Sequence, residues 1–433
     1  MMGLGSAIGA GLFIGSGAGI QAAGPAVLLS YLVAGTLIIL VMWALGEMAA
    51  ANPTSGAFSV YTARALGPVA GSTVGWLWWV QLVVVIAAEA LGAAGLLATV
   101  FPSLPVWLMA LVFVAALTAV NLTRVKNFGE FEFWFALLKV AAIVAFLLVG
   151  AALLFGGIPG VQSPGVANFG GAGFAPHGFE GIATALFVVA FAFGGTEIVS
   201  VAAAETRDPA RSVGKAVRTV VWRILVFYIG SIFIIAAVIP AGSAGLKSPF
   251  AAVLDAAGMP GAATAITLVA VVALLSALNA NLYGASRMVF SLAERGEAPR
   301  ALASLTKSQV PAVAVLASVA FGVVATALEI AFPDKVLPLL LNIVGSTCLM
   351  VWGSALVSQL VLRHRADRDG VELPLRMAGF PWLTVVGLVI LVAIFAVGLI
   401  GEDSRPQLLS TFALVAVIAA GSGLRRRAIA AKS

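Results

Sequence analysis

Apolar residues run along this chain in blocks about as long as the roughly 20-residue helix that crosses a bilayer. Short stretches containing Gly, Pro or charged residues cut the blocks apart. Reading each block against its breakers predicts helical spans over residues 3–23, 26–50, 71–100, 104–122, 133–155 and 180–204. Six more follow over 222–240, 263–290, 311–331, 335–361, 382–400 and 407–424. Within a block the apolar run is continuous rather than alternating, which argues against the short alternating strands of an outer-membrane barrel. The spacing therefore predicts an all-α integral membrane protein of about 12 transmembrane helices.

Composition agrees with this pattern. Of 433 residues, 61% are hydrophobic and 10% are charged, whereas an average soluble domain is about a quarter charged. A soluble chain needs that charge to cover its surface, and only a lipid-facing surface removes the need. The first block begins at Met1 with no basic stretch ahead of it and no small-residue cleavage site, so a cleaved signal peptide is not expected. Cys348 lies inside an apolar block, and His177 and His364 fall in separate predicted loops. Neither a disulfide framework nor a metal or other cofactor is expected.

The net charge of +6 is informative through its placement. With the amino terminus in the cytoplasm, nearly all of the 24 Lys and Arg residues fall inside. The early inside loops hold Arg64, then Arg124 and Lys126, then Arg207, Arg211, Lys215, Arg218 and Arg223. The later ones hold Arg287, Arg295, Arg300 and Lys307, then Arg363, Arg365, Arg368 and Arg376, then Arg425, Arg426, Arg427 and Lys432. Lys247, Lys335 and Arg405 fall outside, and Lys139 falls within a span. This is the positive-inside asymmetry, and a missed span would scramble every later loop. Both termini are expected in the cytoplasm, and the basic excess is a topology signal with no nucleic-acid partner implied.

Two spans contain what a plain lipid-facing helix avoids. The first carries Gly3, Gly5, Gly9, Gly11, Gly15 and Gly17. Glycine costs about 1 kcal/mol relative to alanine in a helix interior. Local unwinding and close packing through small residues both fit this cluster. The sixth span reads Phe191-Ala192-Phe193-Gly194-Gly195-Thr196-Glu197, a glycine pair before a carboxylate at membrane depth. Interrupted helices at positions one and six match a five-plus-five inverted repeat. In that architecture unwound backbone lines a central cavity, half-helix amino ends face a substrate carboxylate, and freed carbonyls face a cation. The repeat is not visible in residue identities.

Each ionisable residue at the bilayer centre costs at least about 2.5 to 3.5 kcal/mol and so needs a partner or a cavity. Glu89 in span three, Lys139 in span five and Glu197 in span six are in this position. A structural ion pair between Lys139 and one of the glutamates is one reading, and transport chemistry is the other. Glu47 and Glu205 lie near cytoplasmic ends, where a loop contact or snorkelling fits as well as transport, and Glu329 reads as interfacial.

The motifs resemble those of the bacterial amino acid permeases of the amino acid, polyamine and organocation superfamily. The likeness is carried by Ile8-Gly9-Ala10-Gly11-Leu12-Phe13, Ala23-Gly24-Pro25-Ala26 and Ala44-Leu45-Gly46-Glu47-Met48. It continues with Asn127-Phe128-Gly129-Glu130-Phe131-Glu132-Phe133-Trp134-Phe135-Ala136 leading to Lys139-Val140, then Phe193-Gly194-Gly195-Thr196-Glu197-Ile198. Ala203-Ala204-Glu205-Thr206-Arg207-Asp208-Pro209, Ala285-Ser286-Arg287-Met288 and Gly296-Glu297-Ala298-Pro299 complete a collinear set over nearly the whole chain.

The resemblance implies a leucine-transporter-type fold in one domain over 1–424, with a first repeat at 1–155, a second at 180–361, two additional helices at 382–424 and a basic cytoplasmic tail at 425–433. It implies a multi-pass importer in a bacterial plasma (inner) membrane that takes an amino acid as its small-molecule substrate, driven by a proton. Ile8, Gly9, Ala10 and Gly11 would receive the substrate together with Phe193, Gly194, Gly195, Thr196 and Glu197, and spans three and eight would complete the pocket. Lys139 would stand where related sodium-driven carriers bind an ion, and Glu89, Glu197 and Glu205 would be candidates for coupling. The chain departs from the family pattern in starting at the edge of span one, and in Asn279-Ala280-Asn281-Leu282-Tyr283-Gly284, where small hydroxyl residues are commoner.

Ser358-Gln359-Leu360, Leu375-Arg376-Met377 and Phe380-Pro381-Trp382-Leu383-Thr384 look most like the gamma-aminobutyrate branch, which neighbours asparagine and aromatic carriers. Gamma-aminobutyrate and other neutral amino acids are the expected substrates. An exchanger on the same fold shares these features. A channel or receptor would show a continuous polar lining or a large soluble domain, and an enzyme a catalytic cluster at membrane depth; the sequence shows none of these.

Overall fold

The computed structural model describes residues 8–54, 57–123, 128–170, 173–197, 199, 203, 207–333, 335–402 and 404–430, and among these it contains helices and no strands. In chain order the helices are α1 Ala10–Phe13, α2 Gly15–Ala23, α3 Val27–Ala51, α4 Ala57–Leu66, α5 Pro68–Val100, α6 Val106–Leu122, α7 Phe128–Leu154 and α8 Gly178–Phe193. They continue with α9 Pro209–Arg223, α10 Gly230–Val238, α11 Pro249–Ala256, α12 Pro260–Glu294, α13 Ala312–Ala331, α14 Val336–Arg368, α15 Trp382–Ile400 and α16 Arg405–Ala430.

The breakers act where proline and glycine chemistry puts them. Pro68, Pro209, Pro249 and Pro260 open their helices, where a missing N–H costs nothing. At α9 the Asp208 side chain also accepts the Arg211 amide at 3.2 Å, satisfying a first-turn donor. Gly24, at φ +62°, separates α2 from α3 in a conformation that side chains disfavour.

Nine helices among the described residues are long and apolar enough to cross a membrane, with Ala10–Ala51 taken as one. The expected number of about 12 counts that stretch as two, and adds Val106–Leu122 and Gly178–Phe193, which are shorter than a usual crossing.

Span seven differs most from expectation. It begins at Pro209 and runs as one helix to Val238 through a π-helical turn at Ile224–Ile229. Arg223, expected on the cytoplasmic side at the very start of span seven, is instead buried in the middle of this helix. His364, expected in a loop, lies within α14, and the short helices α4 and α11 were not expected at all.

The interior is built around α5, which packs along α12 and also touches α13 and α14. The second packing centre is α8, held between α2, α3 and α14. Tyr31 of α3, Phe193 of α8, Tyr228 and Trp352 of α14 are among the largest fully buried side chains. The outer surface is apolar, with Leu148, Val392 and Val417 each about two-thirds exposed or more, as expected for side chains that face lipid.

Glu47, near the end of α3, is part of a buried polar junction. Its carboxylate accepts Arg363 at 2.7 Å and Gln359 at 3.0 Å, both from α14, and also the Met377 amide. Thr384 of α15 in turn donates to Gln359 at 2.8 Å. The Met377 bond is a loop contact of the kind expected for Glu47, and the two bonds from α14 add to it.

Candidate functional site

The first helix among the described residues begins in the interior. Gly9, with extended backbone, precedes α1, and its carbonyl accepts the amides of Leu12 and Phe13 at 3.1 and 3.2 Å. The non-helical stretch seen here is therefore Ile8 and Gly9, whereas Ala10 and Gly11 are helical, with a distortion at Ile14 between α1 and α2. The Ala10 amide at the start of α1 is bound by the Glu89 carboxylate of α5, at 3.0 and 3.2 Å. Helix amino ends attract anions because their first N–H groups lack helical partners. Glycine at position 9 makes this approach possible, since a Cβ there would meet Glu89 Oε1 at 2.5 Å and the Ala277 methyl of α12 at 3.0 Å. Gly11 does something different. A Cβ on it would overlap the Ala192 backbone, so α1 and α8 touch main chain to main chain.

The second break ends α8. The Gly194 amide returns to Ala190 and Phe191 at 3.1 and 3.0 Å, and Gly195 takes φ +89°, so the helix cannot continue. The Thr196 hydroxyl then caps the Phe193 carbonyl at 2.6 Å. Thr196 and Glu197 are buried. Phe193 is clamped edge-on by Tyr31 and tilted against Tyr228, with ring centres 5.7 and 5.1 Å away. The Tyr228 hydroxyl donates to the Ala192 carbonyl at 3.1 Å, holding the last turn of α8 from the π-helical side.

Two buried cations interact electrostatically with the carboxylates at the two breaks. Lys139 of α7 is fully buried and interacts electrostatically with Glu89. Arg223 of α9 is buried and interacts with Glu197 and Tyr228, and the Trp352 indole also lies beside Glu197. Each break thus carries one carboxylate with a cation from a neighbouring helix. Sequence reasoning named three of these four charges and misplaced Arg223. A valine stripe at 213, 217 and 220 opposite charged residues was the signal that the helix starts earlier.

Other expected features lie elsewhere. Glu205 is outside the described residues. Asn279 of the atypical span-eight segment is bonded by Asn121 of α6 at 2.6 Å, and Tyr283 is exposed under the Arg287 guanidinium, 3.3 Å from its ring centre. The wall that α12 presents to the first break is Ala277. No group of His, Cys, Asp or Glu among the described residues could hold a metal ion.

A helical membrane protein with two broken helices around buried charge has the organisation of a leucine-transporter-type carrier. Residues 1–419 match the amino acid permease family. The chain is 47% identical over 416 residues to the aromatic amino acid transport protein AroP of Corynebacterium glutamicum, covering 95% of this chain and 90% of that one. It is 44% identical over 421 residues to the gamma-aminobutyric acid permease of Bacillus subtilis, covering 96% and 90%. Its fold is similar to that of a crystallised manganese transporter mutant from Eremococcus coleocola, with a TM-score of 0.58 at 16% identity, covering 100% of this chain and 94% of that one. At such identity the last likeness concerns the fold alone. The chain belongs to the amino acid permease family, and is a multi-pass membrane transporter rather than an enzyme.

Proposed function

We propose that this chain imports a neutral amino acid by proton symport across a bacterial plasma membrane, with both termini in the cytoplasm. Gamma-aminobutyrate and aromatic amino acids, named for its relatives, are the first substrates to test. In this reading the substrate is held between Ile8, Gly9, Ala10 and Gly11 on one side and Phe193, Gly194, Gly195, Thr196 and Glu197 on the other. Residues 1–155 and 180–361 act as the two repeats, and 382–424 as two added helices before the basic tail.

The observation that carries the mechanism is the bond from the Ala10 amide to Glu89. The amino end of α1 is where a substrate carboxylate would bind, and a protein carboxylate already sits there. Protonating Glu89 removes the negative charge and weakens its hold on the amide. An arriving carboxylate can then take that amide while the proton stays on Glu89. Substrate and proton thereby enter together, and Lys139 balances the charge of Glu89 when the proton leaves. Glu197 and Arg223 hold the other break, where the substrate amine meets the Glu197 carboxylate and the carbonyls near Phe193.

Uptake of a labelled amino acid panel into proteoliposomes, with and without an inward proton gradient, tests the reading. Accumulation of at least one neutral amino acid above equilibrium is expected only with the gradient. Uptake that never exceeds equilibrium under any gradient would count against symport.

A further inference from the structure

Away from the central site, one cavity at the basic membrane face has no role in the mechanism above. It encloses about 510 Å³ where the start of α5, the end of α12 and the end of α16 meet, and four of its lining residues are Arg295, Arg425, Arg426 and Arg427. Glu297 is the one carboxylate among the described lining residues, and it is already engaged by Arg295 at 3.2 Å. Among the described residues no other acidic side chain lines the cavity to oppose the three arginines of α16.

The cavity is built rather than incidental. Arg425 donates from Nε to the Gly296 carbonyl at 2.8 Å and from a terminal nitrogen to the Ala298 carbonyl at 2.6 Å. Arg295 donates to the Ser59 hydroxyl at 2.9 Å, tying the end of α12 to α4. Ser422 donates to Ser72 at 3.3 Å, closing the floor between α16 and α5. These bonds fix the wall and leave Arg426 and Arg427 exposed at the mouth.

Two tryptophans beside it mark the level of the membrane interface. Trp76 and Trp79 of α5 stack edge-on, 5.5 Å between centres, and the Trp76 indole donates to the Glu297 carbonyl at 3.2 Å. Tryptophan concentrates at headgroup level. From the mouth, α16 runs with Leu409, Val417 and Leu424 on one exposed stripe, at 54%, 70% and 66% exposure. An apolar track therefore leads directly into a cluster of guanidiniums.

We propose that this cavity binds a phosphate-bearing anion, with the headgroup of an anionic phospholipid as the source that the apolar stripe favours. Guanidiniums grip phosphate oxygens through paired N–H donors, and basic pockets between membrane helices are suited to such headgroups.

The test uses the full-length protein, delipidated in detergent, with native mass spectrometry against phosphatidylglycerol and phosphatidylcholine and thermal unfolding in added inorganic phosphate. Phosphatidylglycerol is expected to bind tighter than phosphatidylcholine, and R426Q/R427Q is expected to reduce that preference by roughly tenfold or more, since each basic side chain near the headgroups adds about fivefold. The variant R211Q/R218Q removes the same charge from the exposed face of α9 and is expected to keep the preference. Stabilisation by inorganic phosphate that equals that by phosphatidylglycerol, and that R426Q/R427Q abolishes, would support the site with a soluble phosphate as its source. Two results overturn the proposal: equal binding of the two lipids with no phosphate effect, or equal losses in both double variants. Retained amino acid uptake by R426Q/R427Q separates loss of the site from loss of the fold.

Discussion

The Glu89 carboxylate accepts the Ala10 amide with both oxygens, at 3.0 and 3.2 Å, across 79 positions of sequence. A transport helix is thereby held by a group that exists in a charged and a neutral form. Glu89→Gln keeps an acceptor oxygen and removes the charge, so it mimics the protonated state. Exchange of labelled for unlabelled substrate should persist in this variant, while accumulation driven by a proton gradient should be lost. Wild-type accumulation by Glu89→Gln would remove Glu89 from the coupling step.

Lys139 offers a second check, because it is buried and interacts electrostatically with Glu89. Removing one partner of a buried pair typically costs about 3–5 kcal/mol, so Lys139→Met should unfold at a lower temperature and lose accumulation. The double variant with Glu89→Gln should recover much of the stability, since no lone buried charge remains. It should still fail to accumulate substrate. A double variant that recovers active transport as well as stability would reduce the pair to a structural ion pair.

The glycines can be separated by what surrounds them. Gly11→Ala forces a methyl into the Ala192 backbone, an overpacking that costs typically about 1–3 kcal/mol. Gly194→Ala meets the Phe191 carbonyl oxygen at 3.2 Å and Cys348 Sγ at 3.6 Å, which small shifts can accommodate. Thermal unfolding should therefore drop clearly for Gly11→Ala and little for Gly194→Ala, with any transport defect of the latter appearing as weaker substrate affinity. The reverse order of stabilities would contradict the packing described for α1 and α8.

These contrasts also show what the sequence could and could not convey. The break at Gly194 and Gly195 was readable, because a glycine pair at membrane depth has few other uses. The cluster in span one was ambiguous, since unwinding and close packing both call for glycine, and the structure uses it for both: Gly9 at the break and Gly11 at a contact. The block reading of hydropathy misplaced the start of α9, where Arg211, Lys215 and Arg218 share the helix with Val213, Val217 and Val220 and lower the average. That error put Arg223 at the cytoplasmic edge of the span. Which carboxylate faces which cation was not legible, because both pairings depend on tertiary packing. The resemblance implied the family, while the bond from Ala10 to Glu89 joins residues 79 positions apart and shows only in the folded structure.

Arg223 follows from that correction. Arg223→Met leaves the buried Glu197 beside Trp352 without this cation, so the variant should be destabilised by about 3–5 kcal/mol. Adding Glu197→Gln should restore much of the thermal stability but not uptake, as Glu197 is assigned to the substrate amine. A cytoplasmic loop arginine would behave otherwise, with its substitution changing unfolding by no more than about 0.5 kcal/mol, and that result would contradict the buried placement.

The account rests on proton coupling through a carboxylate at the start of α1, and the most direct measurement is gradient-driven uptake by purified protein in proteoliposomes. Imposed inward proton and sodium gradients are applied separately to wild type and to Glu89→Gln, with the preferred labelled amino acid outside. The account predicts accumulation by wild type under the proton gradient alone, abolished by an uncoupler, and none by Glu89→Gln. Accumulation that follows the sodium gradient and ignores the proton gradient would contradict it.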